Sequence, residues 1–503
     1  MKYSIRYLAI FIKIILFSLL LFILINGLFN LKYDYNYQYP REYRDGAIID
    51  IANEYKQGKN PFLIDQILPH NYTYGFIPPL IIGTIGKYIN LNLTQITFIL
   101  SSCLIIFTLL LVGYEIWINS QNILLVFIGA ILTLHYLNVG FRPEIYAIFP
   151  TILILIISNK KKPRPLLTYL FGTLSILFYY IKPYFILLSA VLFLKYIQNK
   201  NSKKTTFILV LSIILTSAIT FILINKFWPM YFPQTFINNL NMYNTHKFGY
   251  MIKQFQDYFI KNWAISSFLL IVVLSFFKNR KRLFSNVYFL YTTISIICLF
   301  SLGQHTGTYM TYFNQLLPIP MVLFITSFFK KSKKNNTYTN LSKYILIIFF
   351  IINNGQYISI PKNKNKVNNW TEAINYINQN NPQKSYLSPQ FATIAVDNSW
   401  PIYDNGQTEV FFAGEIFDKK QEFLSPIFPI TGQIKQMFFS YKNNINQKII
   451  NKEYSIIVLA EENHQLIDDK SLLENYYINK TIDIPTNLSK VDFWLPKPTN
   501  ILK

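Results

Sequence analysis

The segment Lys200–Asn225 reads KNSKKTTFILVLSIILTSAITFILIN and joins a lysine-rich start to a long apolar run without charge. An apolar helix of about 20 residues is long enough to cross the roughly 30 Å hydrocarbon core of a bilayer. Lysines beside such a helix are typical of the side of the membrane that faces the cytoplasm. This segment therefore predicts a membrane-spanning helix that starts at a cytoplasmic connection.

Apolar blocks of this kind recur along the whole chain of 503 residues. Hydrophobic residues make up 52% of the chain and charged residues 14%, far below the roughly 25% charged residues of soluble domains. The pattern predicts an all-α polytopic membrane domain of about 11 transmembrane helices. The predicted spans are residues 7–29, 93–115, 122–138, 144–158, 166–181, 183–197, 205–225, 263–277, 285–303, 309–329 and 343–360.

The formal net charge of +23 includes many positive charges in four short connections between predicted spans. Lysine and arginine are the only charged residues in these connections, and the positive-inside rule therefore makes them cytoplasmic. The charge thus indicates membrane orientation rather than nucleic-acid binding. The residues are Lys160, Lys161, Lys162 and Arg164; Lys200, Lys203 and Lys204; Lys278, Arg280, Lys281 and Arg282; and Lys330, Lys331, Lys333 and Lys334.

Two predicted spans separate each basic connection from the next, which places all four connections and the N-terminus on the cytoplasmic side. The apolar segment Phe76–Ile89, FIPPLIIGTIGKYI, would break this alternation if it crossed the membrane. We therefore predict an interfacial or re-entrant helix that begins at Pro78 and Pro79. The tyrosines of YNYQYP, residues 35–40, are typical of an interfacial belt. The segments predicted to lie outside are residues 30–92, residues 226–262 and everything after about residue 361.

The C-terminal part of the chain has a more polar pattern than the rest. Short β-like runs alternate there with a helical stretch, which predicts a small α/β soluble C-terminal domain on the extracytoplasmic side. The predicted elements are strands at residues 384–388, 455–459 and 491–495 and a helix at residues 433–450. The expected division is a transmembrane domain of residues 1–360 followed by this domain, residues 361–503.

Ionisable residues from distant parts of the chain are predicted to meet at the outer membrane face. Arg142 precedes the fourth span, Lys182 lies in the turn between the fifth and sixth, and His305 follows the ninth. The early loop adds Arg44 and Asp45. Singly, the cations are consistent with snorkelling anchors, the histidine with interhelical hydrogen bonding and the aspartate with a helix cap. Their convergence favours a functional site.

This arrangement resembles the C-type (GT-C) membrane glycosyltransferases, which take sugars from polyprenyl-phosphate carriers. Members of that family have a cytoplasmic N-terminus, an acidic residue soon after the first span, interfacial helices in the first external loop and many further spans. The resemblance extends over most of the chain, with Glu144 at a position where aspartate is common. The strings that carry it are RDGAIIDIANEYKQGKNPF (residues 44–62), YGFIPPL (74–80), FRPE (141–144), YIKPYF (180–185) and GTYMTYFNQLLP (307–318).

The resemblance implies that Asp45 is the general base, which takes a proton from the acceptor hydroxyl as that hydroxyl attacks the anomeric carbon with inversion. Glu42 and Asp50 are the rival carboxylates for this role. The leaving lipid phosphate requires preorganised cations. The implied donor-phosphate ligands are Arg142, Lys182, His305 and Arg44, and the implied substrate contacts are Glu42, Tyr74, Tyr309 and Asn314.

The implied partners are a polyprenyl-phosphate-linked sugar donor, membrane lipids and an acceptor that is a lipid, glycan or protein; nucleic acid is not expected. A lipid-borne donor needs no nucleotide-phosphate loop, and the sequence contains none of the Walker or dinucleotide type. No cofactor is expected. Some relatives use a divalent metal, but no Asp, Glu or His cluster in the predicted outer segments has ligand spacing, and Cys103 and Cys298 lie inside predicted spans. Richness in Asn, Lys, Ile and Tyr indicates an AT-rich genome and hence a bacterial cytoplasmic (inner) membrane.

Two other classes of membrane protein share part of this pattern. A lipid-linked glycan polymerase or O-antigen ligase also has many spans and outward Arg and His residues. Such enzymes usually carry their functional loop late in the chain, whereas residues 226–262 contain only His246 and few charges. A membrane transporter is expected to show internal repeats and charged or broken helices at the membrane midplane, and the sequence offers no convincing repeat.

Overall fold

The structure is a computed structural model. It describes residues 2–40, 45–137, 139–160, 164–198, 203–235, 249, 252–253, 256, 283–302, 316–328, 364–408, 431–460, 466–467, 470–484 and 490–498. The helices in these ranges are α1 (Lys2–Asn36), α2 (Asp45–Lys56), α3 (Ile77–Tyr88), α4 (Leu93–Ser120), α5 (Ile123–Tyr136), α6 (Ile145–Lys160), α7 (Pro165–Leu177), α8 (Leu187–Ile197), α9 (Lys203–Phe227), α10 (Val287–Leu302), α11 (Pro318–Phe328), α12 (Lys364–Gln379), α13 (Ala392–Asp397) and α14 (Thr431–Ile450). The strands are β1 (Ser385–Leu387), β2 (Ile456–Ala460), β3 (Tyr476–Ile482) and β4 (Val491–Pro496).

The apolar blocks that the structure describes form helices, as predicted. Among the described residues, three segments are long and apolar enough to cross a membrane, namely Ile10–Tyr33, Leu93–Ser120 and Lys203–Phe227. Six shorter apolar helices accompany them. The predicted spans at residues 263–277 and 343–360 lie outside the described residues, as does the first part of the span at 309–329. The described chain therefore has the general character of a helical membrane protein.

Residues that flank the basic connections meet at one end of the helix bundle. Lys160, at the end of α6, forms an ion pair with the buried Glu115 near the end of α4. The Asn286 side-chain amide donates a 2.9 Å hydrogen bond to Ser327, and the Lys195 ammonium donates to the Ser285 carbonyl. The Tyr288 hydroxyl of α10 also donates a 3.2 Å hydrogen bond to Glu115. Together these contacts bring the C-terminal ends of α4, α6, α8 and α11 to the N-terminal end of α10.

The early loop and the C-terminal region meet at the other end. Helix α2 lies between α3 and α13, and the backbones approach so closely that a Cβ atom added to Gly46 would be 2.4 Å from the Ala392 Cβ. Helix α3 begins at Ile77 with prolines in its first turn, in agreement with the start predicted at Pro78 and Pro79. The C-terminal region can therefore pack closely on the early loop because residue 46 is a glycine, which has no Cβ atom.

The C-terminal region contains a four-stranded mixed sheet in the order β1-β2-β4-β3, with β1 parallel to β2 and the other pairs antiparallel. Three of the strands lie within a residue of the predicted runs, whereas β3 was not predicted. Buried apolar residues of α12 and α13 cover one face of this sheet. The prediction of a small α/β unit is therefore confirmed at the level of a small mixed sheet with helices.

Two of the tyrosines predicted to form an interfacial belt, Tyr37 and Tyr39, pack against the C-terminal region. The Trp370 indole N–H donates a 3.0 Å hydrogen bond to the Tyr37 hydroxyl, and the ring of Tyr39 stacks on the indole with 5.6 Å between centroids. Trp370 is fully buried. Indoles and phenols bury most favourably when their polar atom finds a partner, and the partner here comes from the C-terminal region rather than from the bilayer surface.

Gly75 supplies a stability test of the join between the early loop and the helix bundle. A Cβ atom at this position would be 1.8 Å from the Tyr180 carbonyl oxygen, so Gly75→Ala must push the two backbones apart. We expect a loss of about 3 kcal/mol in unfolding free energy, the upper end for overpacked sites, measured as thermal unfolding of the purified protein in detergent.

Gly113→Ala is the matched control. Gly113 lies within α4. Its added methyl group would lie 3.5 Å from the nearest side-chain atom, Cγ1 of Val126 in α5. Alanine favours a helix over glycine by up to about 1 kcal/mol, so this variant is expected to be neutral or slightly stabilised. Equal destabilisation of both variants would contradict the role assigned to the close approach at Gly75.

Candidate functional site

Four of the predicted site residues lie within the described ranges of the structure, and the other five lie outside them. Asp45 is the first residue of α2 and is buried, with 7% of its surface exposed. Lys182 is also buried, and Arg142 and Tyr74 are half-buried. The remaining predicted residues lie outside the described ranges: Glu42, Arg44, His305, Tyr309 and Asn314.

Lys182 lies in the turn that links α7 to α8, between two short 3₁₀ turns at Phe178–Tyr180 and Pro183–Ile186. Its backbone N–H donates a 3.1 Å hydrogen bond to the Phe178 carbonyl, and its carbonyl accepts one of 3.0 Å from Phe185. Proline at the start of the second turn sets the backbone direction there. The turn thus fixes the backbone position from which the Lys182 side chain extends.

The Lys182 ammonium forms an ion pair with the buried Glu144. It also lies 4.5 Å from the ring centroid of Tyr74, within the range of a cation–π interaction. Arg142 is close enough to Glu144 to act on it electrostatically. The structure therefore brings Arg142, Lys182 and Tyr74 to one centre around Glu144, which pairs with Lys182.

A second polar cluster, which the sequence did not reveal, surrounds Asp50. This carboxylate is fully buried in α2, and its oxygens lie 2.9 and 3.0 Å from Nδ1 of His70. Nε2 of the same imidazole is 3.7 Å from Glu54. Burial alone would lower the pKa of His70, but the charge and hydrogen bond of Asp50 raise it above the ordinary value. Asp50, considered above as a rival base, is thus engaged in an ion pair.

The C-terminal region completes this cluster with the segment Asp404–Thr408. The Asn405 side-chain amide donates to the Asp50 carboxylate at 2.8 Å and to the Asn71 carbonyl at 2.9 Å. Thr408 donates a 2.9 Å hydrogen bond to the Pro69 carbonyl. The segment is therefore hydrogen-bonded to the stretch of early loop that leads from His70 to Tyr74.

Asp404 itself is buried beside this contact. One carboxylate oxygen accepts a 2.9 Å hydrogen bond from the Gly406 backbone N–H, and the other has no hydrogen-bond partner. Burial, only partly offset by that hydrogen bond, raises the pKa of Asp404 to about 7, and the nearby charge of Asp50 adds to the rise. A carboxyl group in this state carries its proton at mildly acidic pH.

Residues 69–74 connect the polar cluster around Asp50 with the cationic centre around Lys182. Gln234, which follows α9, accepts a 3.1 Å hydrogen bond from the Tyr72 backbone N–H. The rings of Tyr72 and Tyr74 meet edge-on at 5.7 Å, and Tyr74 in turn faces Lys182. Contacts with Asp404–Thr408, with Gln234 and with Lys182 thus fix the position of residues 69–74 beside the cationic centre.

No group of three or more His, Cys, Asp or Glu residues that could hold a metal ion occurs within the described ranges. Comparison with protein-family models gives no match to this chain. None of the curated proteins matches it, and no solved structure does. The resemblance to GT-C enzymes therefore rests on the strings quoted above alone.

The buried pair of Lys182 and Glu144 gives a direct test of this geometry. Lys182→Met leaves a buried carboxylate without its partner, which typically costs 3–5 kcal/mol. The double variant Lys182→Met with Glu144→Gln is expected to recover most of that loss, measured as thermal unfolding in detergent.

Lys480→Met is the control for the loss of a lysine. Its ion pair with Glu372 is exposed on the protein surface, where such pairs contribute about 0–1 kcal/mol. If the double variant were no more stable than the single Lys182 variant, the two side chains would not form the buried pair described here.

The raised pKa of Asp404 predicts how the stability of the protein depends on pH. Its folded pKa of about 7 lies above the ordinary value of 3.8, so the folded state holds a proton that the unfolded chain releases above about pH 4. The stabilisation is complete at low pH and is lost as pH rises through 7. We expect a lower melting temperature at pH 8 than at pH 5, and a shallower pH dependence for Asp404→Asn. The raised pKa of His70 acts in the same direction and remains in that variant.

Asp65→Asn replaces an exposed aspartate of the early loop and serves as the control. It is expected to retain the wild-type pH dependence of the melting temperature. An Asp404→Asn variant with an unchanged pH dependence would show that this carboxyl group does not titrate as described.

Proposed function

We propose that this chain is a membrane glycosyltransferase of the GT-C type, which moves a sugar from a polyprenyl-phosphate donor to an acceptor hydroxyl with inversion. The observation that carries the proposal is the position of Lys182, Arg142 and Tyr74 at the end of the bundle that also holds the early loop. A buried lysine and an arginine that both lie near Glu144 suit the binding of an anionic leaving group.

In the proposed reaction, Asp45 accepts the proton of the acceptor hydroxyl. Its place in the first turn of α2 puts a carboxylate at the positive end of a helix, which favours the ionised form that a base requires. Asp50 is less suited to this role because its carboxylate is held by His70 and Asn405. Asp45 therefore stays the preferred base.

The donor phosphate is proposed to lie against Arg142 and Lys182, with His305 and Arg44 as further ligands. The ion pair of Lys182 with Glu144 limits the cost of burying this cation in the absence of a phosphate. Proposed substrate contacts are Glu42, Tyr74, Tyr309 and Asn314.

The lipid chain of the donor is proposed to enter from the side of the bundle. An apolar groove of about 400 Å³ opens between α7, α9 and the Lys182 turn. Three of its lining residues, Tyr179, Tyr180 and Ile186, flank Lys182 in sequence. A lipid lying in this groove would carry its phosphate toward the cationic centre. The lining residues are Ile176, Tyr179, Tyr180, Ile186, Ser217, Ala218, Phe221 and Phe232.

The proposed setting is a bacterial cytoplasmic membrane with about 11 spans, a cytoplasmic N-terminus and an external C-terminal domain. Contacts at the two ends of the bundle support this orientation. Neighbours of the lysine-rich connections meet at one end, as in the Lys160 to Glu115 ion pair. The early loop meets the C-terminal region at the other, as in the Asn405 to Asp50 hydrogen bond.

Asp45→Asn tests the catalytic assignment. General base catalysis contributes about 10²- to 10⁴-fold in rate, so the variant is expected to lose at least about 100-fold in transfer from a radiolabelled polyprenyl-phosphate sugar. The assay uses the full chain in nanodiscs with a membrane extract as the acceptor source.

Asp65→Asn is the matched control, since it changes an exposed aspartate of the same loop and should keep full transfer activity. Thermal unfolding of both variants verifies that they are folded. Normal transfer by folded Asp45→Asn would exclude Asp45 as the base. A requirement for a preassembled lipid-linked oligosaccharide would instead favour a glycan ligase.

A further inference from the structure

Four buried polar atoms close to the cationic centre have no hydrogen-bond partner in the described structure. They are the hydroxyls of Tyr72 and Tyr146, the Oε2 atom of Glu144 and the side-chain N–H₂ of Gln234. All four residues are buried, with at most 8% of their surface exposed. We refer to them as the hydroxyl cluster.

The members of the hydroxyl cluster come from three separate parts of the chain but lie near one another. The ring of Tyr72 meets that of Tyr74 at 5.7 Å, Tyr74 faces the Lys182 ammonium, and this ammonium pairs with Glu144. Tyr72 also interacts electrostatically with Glu144 and Tyr146. The other side-chain atom of Gln234, its Oε1, accepts the hydrogen bond from the Tyr72 backbone. The four residues therefore lie where the early loop, the start of α6 and the segment that follows α9 come together.

Buried polar groups without partners are rare in folded proteins, because each costs about 1–3 kcal/mol. Four in one region amount to a large share of the stability of a typical domain. A bound ligand that supplies hydrogen bonds to them would remove this cost. The hydroxyl cluster thus has the energetic character of a binding site.

The chemistry of the hydroxyl cluster indicates what kind of ligand fits. The Glu144 oxygen only accepts hydrogen bonds, the Gln234 amide nitrogen only donates them, and the two phenols do both. A phosphate needs donors and would be repelled by the carboxylate. A ligand with several neutral hydroxyl groups can satisfy all four at once.

Glu144 joins the hydroxyl cluster to the cationic centre. One of its oxygens accepts a hydrogen bond from Lys182, and the other belongs to the hydroxyl cluster. A ligand bound to the second oxygen would therefore be separated from the proposed phosphate position only by the Glu144 carboxylate. The adjacency matches a molecule in which hydroxyl groups and a phosphate are covalently linked.

We propose that the hydroxyl cluster of Tyr72, Glu144, Tyr146 and Gln234 binds the sugar ring of the donor lipid while Lys182 and Arg142 bind its phosphate. This inference rests on the proposed function, because it identifies the sugar subsite of the same donor. It assigns specificity for the sugar to the two tyrosine hydroxyls.

The test compares polyprenyl phosphate with polyprenyl-phosphate glucose, mannose, N-acetylglucosamine and arabinose. Binding to the full chain in nanodiscs is measured by native mass spectrometry for wild type, Tyr72→Phe, Tyr146→Phe and the double variant. We expect at least one sugar-bearing carrier to bind wild type more tightly than polyprenyl phosphate does. Each lost hydroxyl is expected to reduce that preference roughly 3- to 10-fold, with binding of polyprenyl phosphate unchanged.

Tyr386→Phe is the matched control, since Tyr386 is fully buried with an unpartnered hydroxyl in the C-terminal region. It should leave the sugar preference unchanged. Thermal unfolding without ligand gives a second readout: loss of an unpartnered hydroxyl should leave the melting temperature equal or higher. A fall in melting temperature together with equal loss of binding for all carriers would indicate a purely structural role and overturn the proposal.

The remaining outcomes separate this inference from the proposed function. If polyprenyl phosphate binds but no sugar-bearing carrier binds more tightly, the sugar subsite is refuted and the phosphate site stands. A sugar preference that survives in the double variant also refutes it. If wild type binds none of the carriers, the proposed function fails, and the sugar subsite fails with it.

Discussion

The fully buried carboxylate of Asp50 is the constraint on which the end of the bundle that holds the early loop depends. A buried charge is tolerated only when other groups satisfy it, and here the satisfying groups are His70 from the same loop and Asn405 from a point 355 residues further along the chain. The loop therefore reaches its observed structure only in contact with the C-terminal region. Through the stretch from His70 to Tyr74, this constraint extends to the surroundings of Lys182.

The helical part of the fold was readable from the sequence because it depends on local composition. Long uncharged apolar runs such as residues 205–225 have few alternatives to a helix once water is excluded. Helix α12 was missed although Trp370, Ala373 and Ile377 follow helical spacing, because its other residues are polar and its partner is a sheet far away in sequence. Strand β3 was missed since most of its side chains are not buried, which leaves no alternating apolar pattern to recognise.

The candidate site was predictable only in part. The positions of Lys182 and Arg142 at helix ends followed from the alternation of apolar blocks and short connections, and they do lie at one centre with Tyr74. The pairing of Lys182 with Glu144 and of His70 with Asp50 depends on distances across the fold that no short motif records. No prediction was made for the polar segment from Asp404 to Thr408, and only its docking against the early loop gives it a role.

The order in which the chain is made gives this docking a further consequence. Membrane proteins are inserted from the N-terminus as they are synthesised, and domains generally form in that order. The early loop is therefore made long before Asn405 exists, and Trp370, the partner of Tyr37, is also still to be synthesised. During that interval the loop lacks part of its polar and aromatic contacts, so its final structure forms only after the C-terminal region has been made. Completion of the chain thereby becomes a checkpoint for assembly of this end of the helix bundle.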